Sequence, residues 1–478
     1  MRDEYVDFTQ FEYAPDRGTG DTKSLSGLSN MTPSEYGYEP IPSLADAGET
    51  ALTGQAKGAI CEELDGTLYE YAGDETKLYR LVSTTWTDSS STTYSSATSD
   101  TWDFTRFKDK VLAVNGKGNQ FPQTITLGGT AFSDLTTEFT SSTVATVRDF
   151  VVHGNTNDAT DGDKPERVRW SAFNDETTYT PSPATQSDFQ DLKTAEVIKI
   201  LGGEYGVIFC KDCYYLMTYE GPPTVFRFDR KEGYGLVGKN AAARWGNTVF
   251  ALSTEGFIRL DGDAVTSIGA KRVDNSALAF IEANASADGE LTANSRVYCA
   301  LEPNRQWAVW LISGDGQTVI YIYDWALNRW GSYAPSEATT LASCSQVSPS
   351  NDIGISVFYH DDRKRYKFNG DFADASITTP QLEIAQGAHS MVSGIMPVLD
   401  GLATTLTARV VTSAPAMDDT ESSSSAVSVD RDGYAHVRAS GRFHRFAVNA
   451  TWANVGGSGD RSNTLKGIRV QHTRTGRS

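Results

Sequence analysis

The chain has 478 residues, with 42 lysines and arginines against 61 aspartates and glutamates, which gives a formal net charge of −19. At roughly 100–200 residues per domain, this length predicts two or three folded units. A hydrophobic share of 39%, including 11% aromatic residues, can build a core and excludes wholesale disorder. No stretch reaches the roughly 18 consecutive apolar residues of a membrane-spanning helix, so we expect no membrane span.

The charge is unevenly distributed. Residues 1–80 hold 16 acidic and 6 basic residues, a net charge of −10, whereas residues 441–478 hold 7 basic residues and 1 acidic residue, a net charge of +6. The overall acidity argues against a general nucleic-acid binder, which needs a basic face. The two ends are either two solvated faces or complementary surfaces through which identical subunits, or a subunit and another partner, meet.

The cysteines and the N-terminus favour assembly in a reducing compartment. The five cysteines are odd in number and scattered, unlike the dense even set of a small disulfide scaffold. We expect reduced thiols. Acidic residues stand near the N-terminus where a secretory signal would place basic ones, so the sequence predicts no export signal.

Residues 1–50 differ in character from the rest of the chain. Pro15, Gly18 and Gly20 precede a stretch rich in Ser, Thr and Asn, with few apolar residues at regular spacing. Such a segment buries little surface by itself. We therefore expect an extended arm that orders against a neighbour.

The sequence predicts a β-propeller for residues 51–375. Short runs rich in Val, Ile, Tyr, Phe and Trp alternate with Gly, Asp and Asn turns, which is typical of strands and hairpins. Hairpin-like units are visible at 60–82, 207–228, 249–263, 307–323 and 356–371. Four-stranded sheets spaced at about 40–50 residues predict five to seven blades. One helix is expected, from about Asn275 to Ala285, capped by Asp274 or Asn275.

Residues 376–478 lose the repeat and predict a separate β-sandwich. Its expected strands are Thr404–Val411, Ala426–Val429, Tyr434–Ala439, Arg442–Ala450 and Gly467–His472. The fold class is therefore all-β, with a β-propeller core, an extended N-terminal arm and a C-terminal β-sandwich.

The motif that most suggests chemistry is Cys210-Lys-Asp-Cys213. A redox pair needs a helix N-terminus to lower a thiol pKa, and a structural zinc site needs two more ligands. Here the flanking residues are strand-like and no second Cys-x-x-Cys is present. We interpret Cys210 and Cys213 as core or turn residues.

Three further patterns resemble functional sites. Residues 155–163 carry alternating Asp and Asn oxygens like a calcium loop, but lack the glutamate and the flanking helices of an EF-hand, so a polar turn is favoured. Residues 313–319 approach the sialidase Asp-box once, with Gln317, Val319 and Ile320 replacing its Gly, Thr and Trp. His436 and His444 could face each other across a hairpin, although ordinary strand positions are favoured.

Aromatic residues near the end of the propeller repeat offer two interpretations. Trp325 and Trp330 either pack between blades, which we favour, or form a platform for carbohydrate. Asp324 and Asn328 are expected to make the turn between them. The phosphate-binding loop, the zinc-protease motif and the hydrolase elbow are all missing. We therefore assign no catalytic, cofactor-binding or metal-binding residue and predict that the protein is not an enzyme.

Several segments together resemble the tail hub or nozzle proteins of short-tailed bacteriophages, also described as tail tubular or head-completion proteins. The resemblance spans roughly residues 25–335 and rests on architectural motifs at 25–38, 70–80, 167–175, 271–274, 296–298 and 319–330.

The resemblance implies a structural virion protein in the phage tail, assembled in the host bacterial cytoplasm. Such proteins form a ring, usually a homohexamer, below the portal and the adaptor, the head-to-tail connector protein. A tail fibre, spike or needle would dock on the ring. Genomic DNA would pass through the channel without specific binding, both during retention and during ejection. The alternative from another class is a carbohydrate-binding or carbohydrate-cleaving β-propeller that acts at the host surface.

Overall fold

Strands make up nearly all the regular structure, because β-branched and aromatic runs alternate with turn residues along the chain. The structure is a computed structural model. It describes residues 2–18, 21–97, 100–116, 120–193, 196–284, 297–314, 317–335, 342–347, 353–359, 361–401, 403–412, 422–452 and 463–477.

The N-terminal segment forms seven short strands and two single 3-10 turns, Phe8–Gln10 and Pro15–Arg17. The strands are β1 Arg2–Asp7, β2 Glu12–Tyr13, β3 Ser24–Leu25, β4 Gly27–Ser29, β5 Met31–Ser34, β6 Gly37–Pro40 and β7 Pro42–Asp46.

Residues 58–232 form the first four blades, each a four-stranded antiparallel sheet. Blade 1 contains β8 Gly58–Leu64, β9 Thr67–Gly73, β10 Leu78–Val82 and β11 Thr85–Asp88; blade 2 contains β12 Asp103–Phe107, β13 Lys110–Val114, β14 Gln123–Thr126 and β15 Ser133–Asp134; blade 3 contains β16 Phe139–Val147, β17 Phe150–Asp158, β18 Gly162–Trp170 and β19 Asp188–Asp191; blade 4 contains β20 Val197–Leu201, β21 Gly206–Cys210, β22 Cys213–Gly221 and β23 Val225–Glu232.

Three further blades come next, with helix α1 between the fifth and the sixth. Blade 5 contains β24 Ala242–Trp245, β25 Thr248–Ser253, β26 Gly256–Asp261 and β27 Ala264–Ser267; α1 is Asp274–Ala283; blade 6 contains β28 Val297–Glu302, β29 Trp307–Gly314, β30 Gln317–Asp324 and β31 Arg329–Tyr333; blade 7 contains β32 Ala342–Val347, β33 Ile355–Tyr359 and β34 Arg365–Phe372.

The N-terminal strand β7 closes the ring of blades. It pairs antiparallel with β34 as the fourth strand of blade 7, with Leu44 opposite Phe368. The first strand of blade 7, β32, then contacts the first strand of blade 1, β8. Arg365 on β34 is fully buried and forms ion pairs with Glu49, which lies just after β7, and with Glu70 of blade 1. Main-chain pairing and buried charges therefore both join the last blade to the first.

The C-terminal residues form two sheets packed face to face. Their strands are β35 Ala375–Thr378, β36 Ala388–Asp400, β37 Ala403–Thr412, β38 Ser422–Ser423, β39 Val427–Ser428, β40 Ala439–Gly441, β41 His444–Trp452 and β42 Thr464–Arg477. One sheet has the order β38-β37-β41-β35-β4. The other contains β6, β42, β36 and β40, and β1 also pairs with β42. Ile395 and Ile468 from one sheet share a core with Val410 and Phe446 from the other.

The sandwich and the propeller share one continuous sheet. Strands β5 and β6 lie between β31 of blade 6 and β42, giving the order β28-β29-β30-β31-β5-β6-β42-β36-β40. The N-terminal segment thus contributes strands to blade 7, to both sheets of the sandwich and to the connection between them. The arm is extended, as predicted, but it pairs with its own chain. Its strands are too short to show apolar periodicity, so their pairing was not visible in the sequence. That it orders against a neighbouring subunit stays a prediction.

The propeller core and the single α-helix of the described residues match the predicted fold. The helix begins at Asp274 and ends at Ala283, close to the predicted bounds. Apolar side chains are buried between consecutive blades, for example Val207 of blade 4 with Phe250 of blade 5 and Trp310 of blade 6. The domain boundaries proposed at residues 50 and 375 stay predictions. Strand β7 comes from within the first 50 residues and lies in the propeller.

Candidate functional site at the centre of the propeller

The blades surround a central cavity of about 410 Å³. Its wall comes from β8, β12, β20, β24 and β28, or from residues next to them, and so from blades 1, 2, 4, 5 and 6. Aromatic wall residues include Trp102, Phe104 and Tyr298, and polar ones include Asp103 and Lys199. A cavity of this size lies within the usual range for small-molecule sites.

Asp103 is a buried hub between blades. One carboxylate oxygen accepts hydrogen bonds from Thr143 Oγ1 at 2.6 Å and from the Val144 amide at 3.1 Å. The other oxygen forms an ion pair with Lys199 of blade 4. Burial alone would raise the pKa of Asp103, but Lys199 and Lys239 hold it below its usual range. The carboxylate is therefore charged and ties blades 2, 3 and 4 together.

Lys239 lies just before β24 and is buried beside this hub. Its ammonium donates to the Thr101 carbonyl oxygen at 2.6 Å. Burial lowers the pKa of Lys239 to about 8, against the opposing attraction of Asp103. The centre thus contains a lysine that titrates much closer to neutral pH than a solvated one.

Arg244, on β24, belongs to the cavity wall, and its guanidinium packs against the turns that follow β20 and β24. Its Nε donates to the Gly246 carbonyl at 2.7 Å and its Nη1 to the Tyr205 carbonyl at 2.5 Å, and the group stacks on the Tyr205 ring at 4.3 Å. Gly203 has φ of +145°, and a Cβ there would lie 2.7 Å from Arg244 Cζ. Glycine at 203 therefore leaves the space that the guanidinium occupies.

The cavity does not show the carboxylate pair that a glycosidase uses. Retaining and inverting enzymes place two carboxyl groups about 5–10 Å apart. Among the described residues of the cavity wall, Asp103 is the one carboxylate, and its oxygens are engaged by Lys199, Thr143 and the Val144 amide. In the described part of the chain, no three His, Cys, Asp or Glu side chains are grouped closely enough to hold a metal ion.

The structure places Cys210 and Cys213 in the core, as predicted. They end β21 and begin β22, both are buried, and both belong to the apolar cluster of blades 3 and 4. Burial and the neighbouring Cys213 raise the pKa of the Cys210 thiol. A protonated, enclosed thiol is a poor nucleophile.

The calcium-like segment 155–163 is a polar hairpin turn between β17 and β18. Asp158 accepts hydrogen bonds from the Thr160 and Asp161 amides at 2.9 and 2.7 Å. Arg167 then lies 2.5 Å from Asp161 and 2.6 Å from Asp191. The segment thus forms a polar turn, and Asp161 within it is paired with Arg167.

His436 and His444 do not bond to each other, in agreement with the interpretation that was favoured from the sequence. His436 is exposed and bonds to Asp430 at 2.8 Å, whereas His444 is buried and bonds to Ser390 Oγ at 2.8 Å. Burial lowers the pKa of His444 to about 4. In the Asp-box-like segment, Ser313 Oγ lies 3.0 Å from Thr318 Oγ1, and residues 315–316 lie outside the described residues.

The tryptophans pack between blades, as favoured from the sequence. Trp330 is buried and its Nε1 donates to the Ile268 carbonyl at 2.9 Å, which connects blade 6 to the residue after blade 5. Trp325 stacks on Phe250 of blade 5, with ring centroids 5.0 Å apart. Asp324 accepts from the two amides that come after Trp325, at 3.0 and 2.8 Å, and so makes the predicted turn.

The sequence did not reveal the residues at the centre. Asp103, Lys199, Lys239 and Arg244 form no short motif, because the first and the last of them are 244 − 103 = 141 positions apart. The blade repeat in the sequence is too weak to show which strand of each blade lies nearest the centre. An alignment of the blade sequences with one another could have indicated these residues, because it would have identified the first strand of each blade.

Comparison with known proteins gives a likeness of fold only. The sequence matches no protein-family model and no curated protein. The extracellular domain of a protein described as a hybrid two-component system from B. thetaiotaomicron has 10% identity and a TM-score of 0.41, over 80% of this chain and 47% of that chain. This chain thus spans about half the length of that domain.

Two further solved structures show a likeness that is as distant. A structure described as the Dos1 propeller has 11% identity and a TM-score of 0.33, over 60% of this chain and 80% of that chain. An exo-β-1,3-galactanase from Phanerochaete chrysosporium has 11% identity and a TM-score of 0.29, over 90% of this chain and 100% of that chain. Likenesses this distant carry no argument about activity. Among the described residues, no helix has the length and apolar character needed to cross a membrane.

Proposed function

We propose that this chain is a structural subunit of the tail hub or nozzle of a short-tailed bacteriophage. The supporting observation is that two segments carrying the sequence resemblance meet at one junction. Residues 25–38 form β3 to β6, and residues 319–330 lie in β30 and β31. At this junction Ser332 Oγ donates to the Leu28 carbonyl at 2.7 Å. Two of the six segments that carry the resemblance therefore lie in the part that joins propeller to sandwich.

Arg329 adds a second set of contacts at the same junction. Its Nη2 donates to the Phe11 carbonyl at 2.9 Å and its Nη1 to the Ser34 carbonyl at 3.1 Å. Its guanidinium also lies over the Tyr38 ring, 4.6 Å from the centroid. One side chain thus links blade 6 to three parts of the N-terminal segment. A connection of this kind supports a structural role for the subunit.

The DNA channel of the proposed assembly would lie between copies of the chain. The central cavity of one propeller, about 410 Å³, is of small-molecule size and is far too small for duplex DNA. Copies related by rotation would meet through a heterologous interface, which closes into a ring. With a charge of −19 per chain, the channel surface would repel phosphate, so DNA would pass without binding.

The mass of the purified chain in solution, measured together with electron microscopy, tests the proposal. We expect closed rings, with six copies as the number that the resemblance implies, and binding to the adaptor at one end. A stable monomer across micromolar concentrations, with no ring in the presence of the adaptor, would contradict it.

A carbohydrate-binding role at the host surface is the second candidate. One observation favours it: Trp245, at the turn between β24 and β25, is 57% exposed, and such an aromatic face can stack against a sugar ring. A monomer that binds or cleaves host polysaccharide, and loses this on Trp245→Ala, would support the second candidate against the first.

A further inference from the structure

We propose that the outer edge of strand β1 binds an extended, basic segment of a partner protein, which adds one strand to the sandwich sheet. The inference goes beyond the proposed role in the tail and does not depend on it. It rests on the open edge of β1, on a groove beside that edge and on the acidic side chains that line the groove.

Strand β1 pairs on one side only. Over its whole length, Arg2–Asp7, it pairs antiparallel with residues 467–472 of β42, and no other described strand pairs with it. In an antiparallel pair, every second residue directs its amide and carbonyl groups away from the partner strand. The first four residues of β1 are exposed. This edge is therefore open to the addition of another strand.

A groove of about 350 Å³ lies beside this edge. It is lined by residues 4–7 of β1 and by residues 10–11, 22–23 and 382–384. Leu382 and Ile384 pack against the sandwich core but are only partly buried, so apolar surface is accessible in the groove. Tyr5, also in the lining, is 49% exposed, and tyrosine is enriched at protein interfaces. Side chains of an added strand alternate between two faces, so one set can contact these apolar groups.

The acidic side chains of the groove favour a basic partner. Glu4, Asp7 and Glu383 line it, and Lys23 is the one basic residue among the described lining residues. Glu383 is paired with Arg442 at 2.7 Å, so the negative charge open to a partner comes mainly from Glu4 and Asp7. Lysine or arginine side chains on an added strand would lie near these carboxylates. Opposite charges on neighbouring strands stabilise their pairing and select the partner.

The charges of β1 disfavour a second copy of the same strand as the occupant. The strand has three acidic residues, Asp3, Glu4 and Asp7, and one basic residue, Arg2. Two copies paired edge to edge would bring these like charges together, which is destabilising. Charged residues on edge strands protect proteins from such self-pairing. The edge is therefore suited to a different, basic chain.

The binding of two synthetic peptides to the full chain, measured by fluorescence anisotropy at fixed ionic strength, tests the inference. The first peptide alternates valine with lysine over about ten residues, and the second has glutamate in place of lysine. We expect the lysine peptide to bind about tenfold more tightly or better. Glu4→Lys should weaken its binding about fivefold or more, whereas Asp432→Lys, at an exposed acidic residue outside the groove, should leave it unchanged.

Hydrogen exchange shows where the lysine peptide binds. It should slow the exchange of the amides of residues 2–7 about fivefold or more and leave the blade-edge strand β19 unchanged. Equal affinity for the two peptides, undiminished binding by Glu4→Lys, or protection at blade edges alone would overturn the inference. Protection of residues 2–7 that grows with protein concentration alone would assign the edge to a second copy and would overturn it as well.

Discussion

Single buried charges hold the ring of blades closed. Arg365 has no exposed side-chain surface, and its partners Glu49 and Glu70 are 5% and 12% exposed. Replacing Arg365 with Met would remove the ion-pair partner that the two carboxylates share, while Lys367 stays 3.5 Å from Glu49. We expect a loss of about 3–5 kcal/mol in the free energy of unfolding, measured with urea.

The matched control is Arg227→Met, because Arg227 is half exposed and its ion pairs are at the surface. We expect this change to cost less than about 1 kcal/mol. Equal losses in the two variants would show that the buried network does not stabilise ring closure.

Asp274, the first residue of the helix, makes stability depend on pH. Burial raises its pKa to about 6, although the Phe257 amide donates to the carboxylate at 2.8 Å. The folded state therefore binds this proton more tightly than the unfolded chain does. The resulting stabilisation is complete below about pH 4 and is lost as the pH rises through about 6.

Asp274→Asn should remove this pH dependence. Between pH 5 and pH 7.5 the wild-type chain should lose about 1–3 kcal/mol more of its unfolding free energy than the variant does. The difference between the two proteins cancels the contribution of other titrating groups. Parallel stability curves over this range would contradict the assignment.

At the scale of elements, the helix depends on a cap from a distant part of the chain. Asp16 accepts hydrogen bonds from the Asn275 and Ser276 amides at 2.7 and 2.9 Å and from Ser276 Oγ at 2.6 Å. A carboxylate at this end also interacts favourably with the helix dipole. The helix thus connects the N-terminal segment to the propeller.

Asp16→Ala should cost about 1 kcal/mol and increase hydrogen exchange of the amides at residues 275–277. Asp21→Ala is the control, since Asp21 lies on the same segment and forms a long ion pair of 3.6 Å with Arg17. Unchanged exchange in Asp16→Ala, or an equal increase in both variants, would show that Asp16 does not cap the helix.

The helix was predicted from the sequence, whereas the pairing of β7 with the last blade was not. Apolar spacing predicted the helix, the blade hairpins and the strands near β37, β39, β41 and β42, because those patterns are local. It missed β36, Ala388–Asp400, and the strand predicted at Tyr434–Ala439 was wrong except at its last residue. The remote cap at Asp16, the closure of blade 7 by residues 42–46 and the central site depend on contacts between residues that are far apart in the chain. Local patterns do not encode such pairings, so they were not found.

At the scale of the whole molecule, the acidic end and the basic end lie next to each other within one chain. Strand β1 of the acidic end pairs directly with β42 of the basic end, with Tyr5 opposite Arg469. Lys466 forms an ion pair with Asp400 at 2.5 Å. The two oppositely charged ends therefore lie side by side in one sandwich, and their net charges alone do not require a subunit interface.

The arrangement of this chain in intact phage particles is the most direct test of the proposed function. Electron cryomicroscopy of tails that contain the chain should show a ring of copies below the portal and adaptor. Propellers and sandwiches should surround an axial channel wide enough for DNA. Copies located in a peripheral fibre, or a particle whose tail ring is built from a different protein, would contradict the proposal.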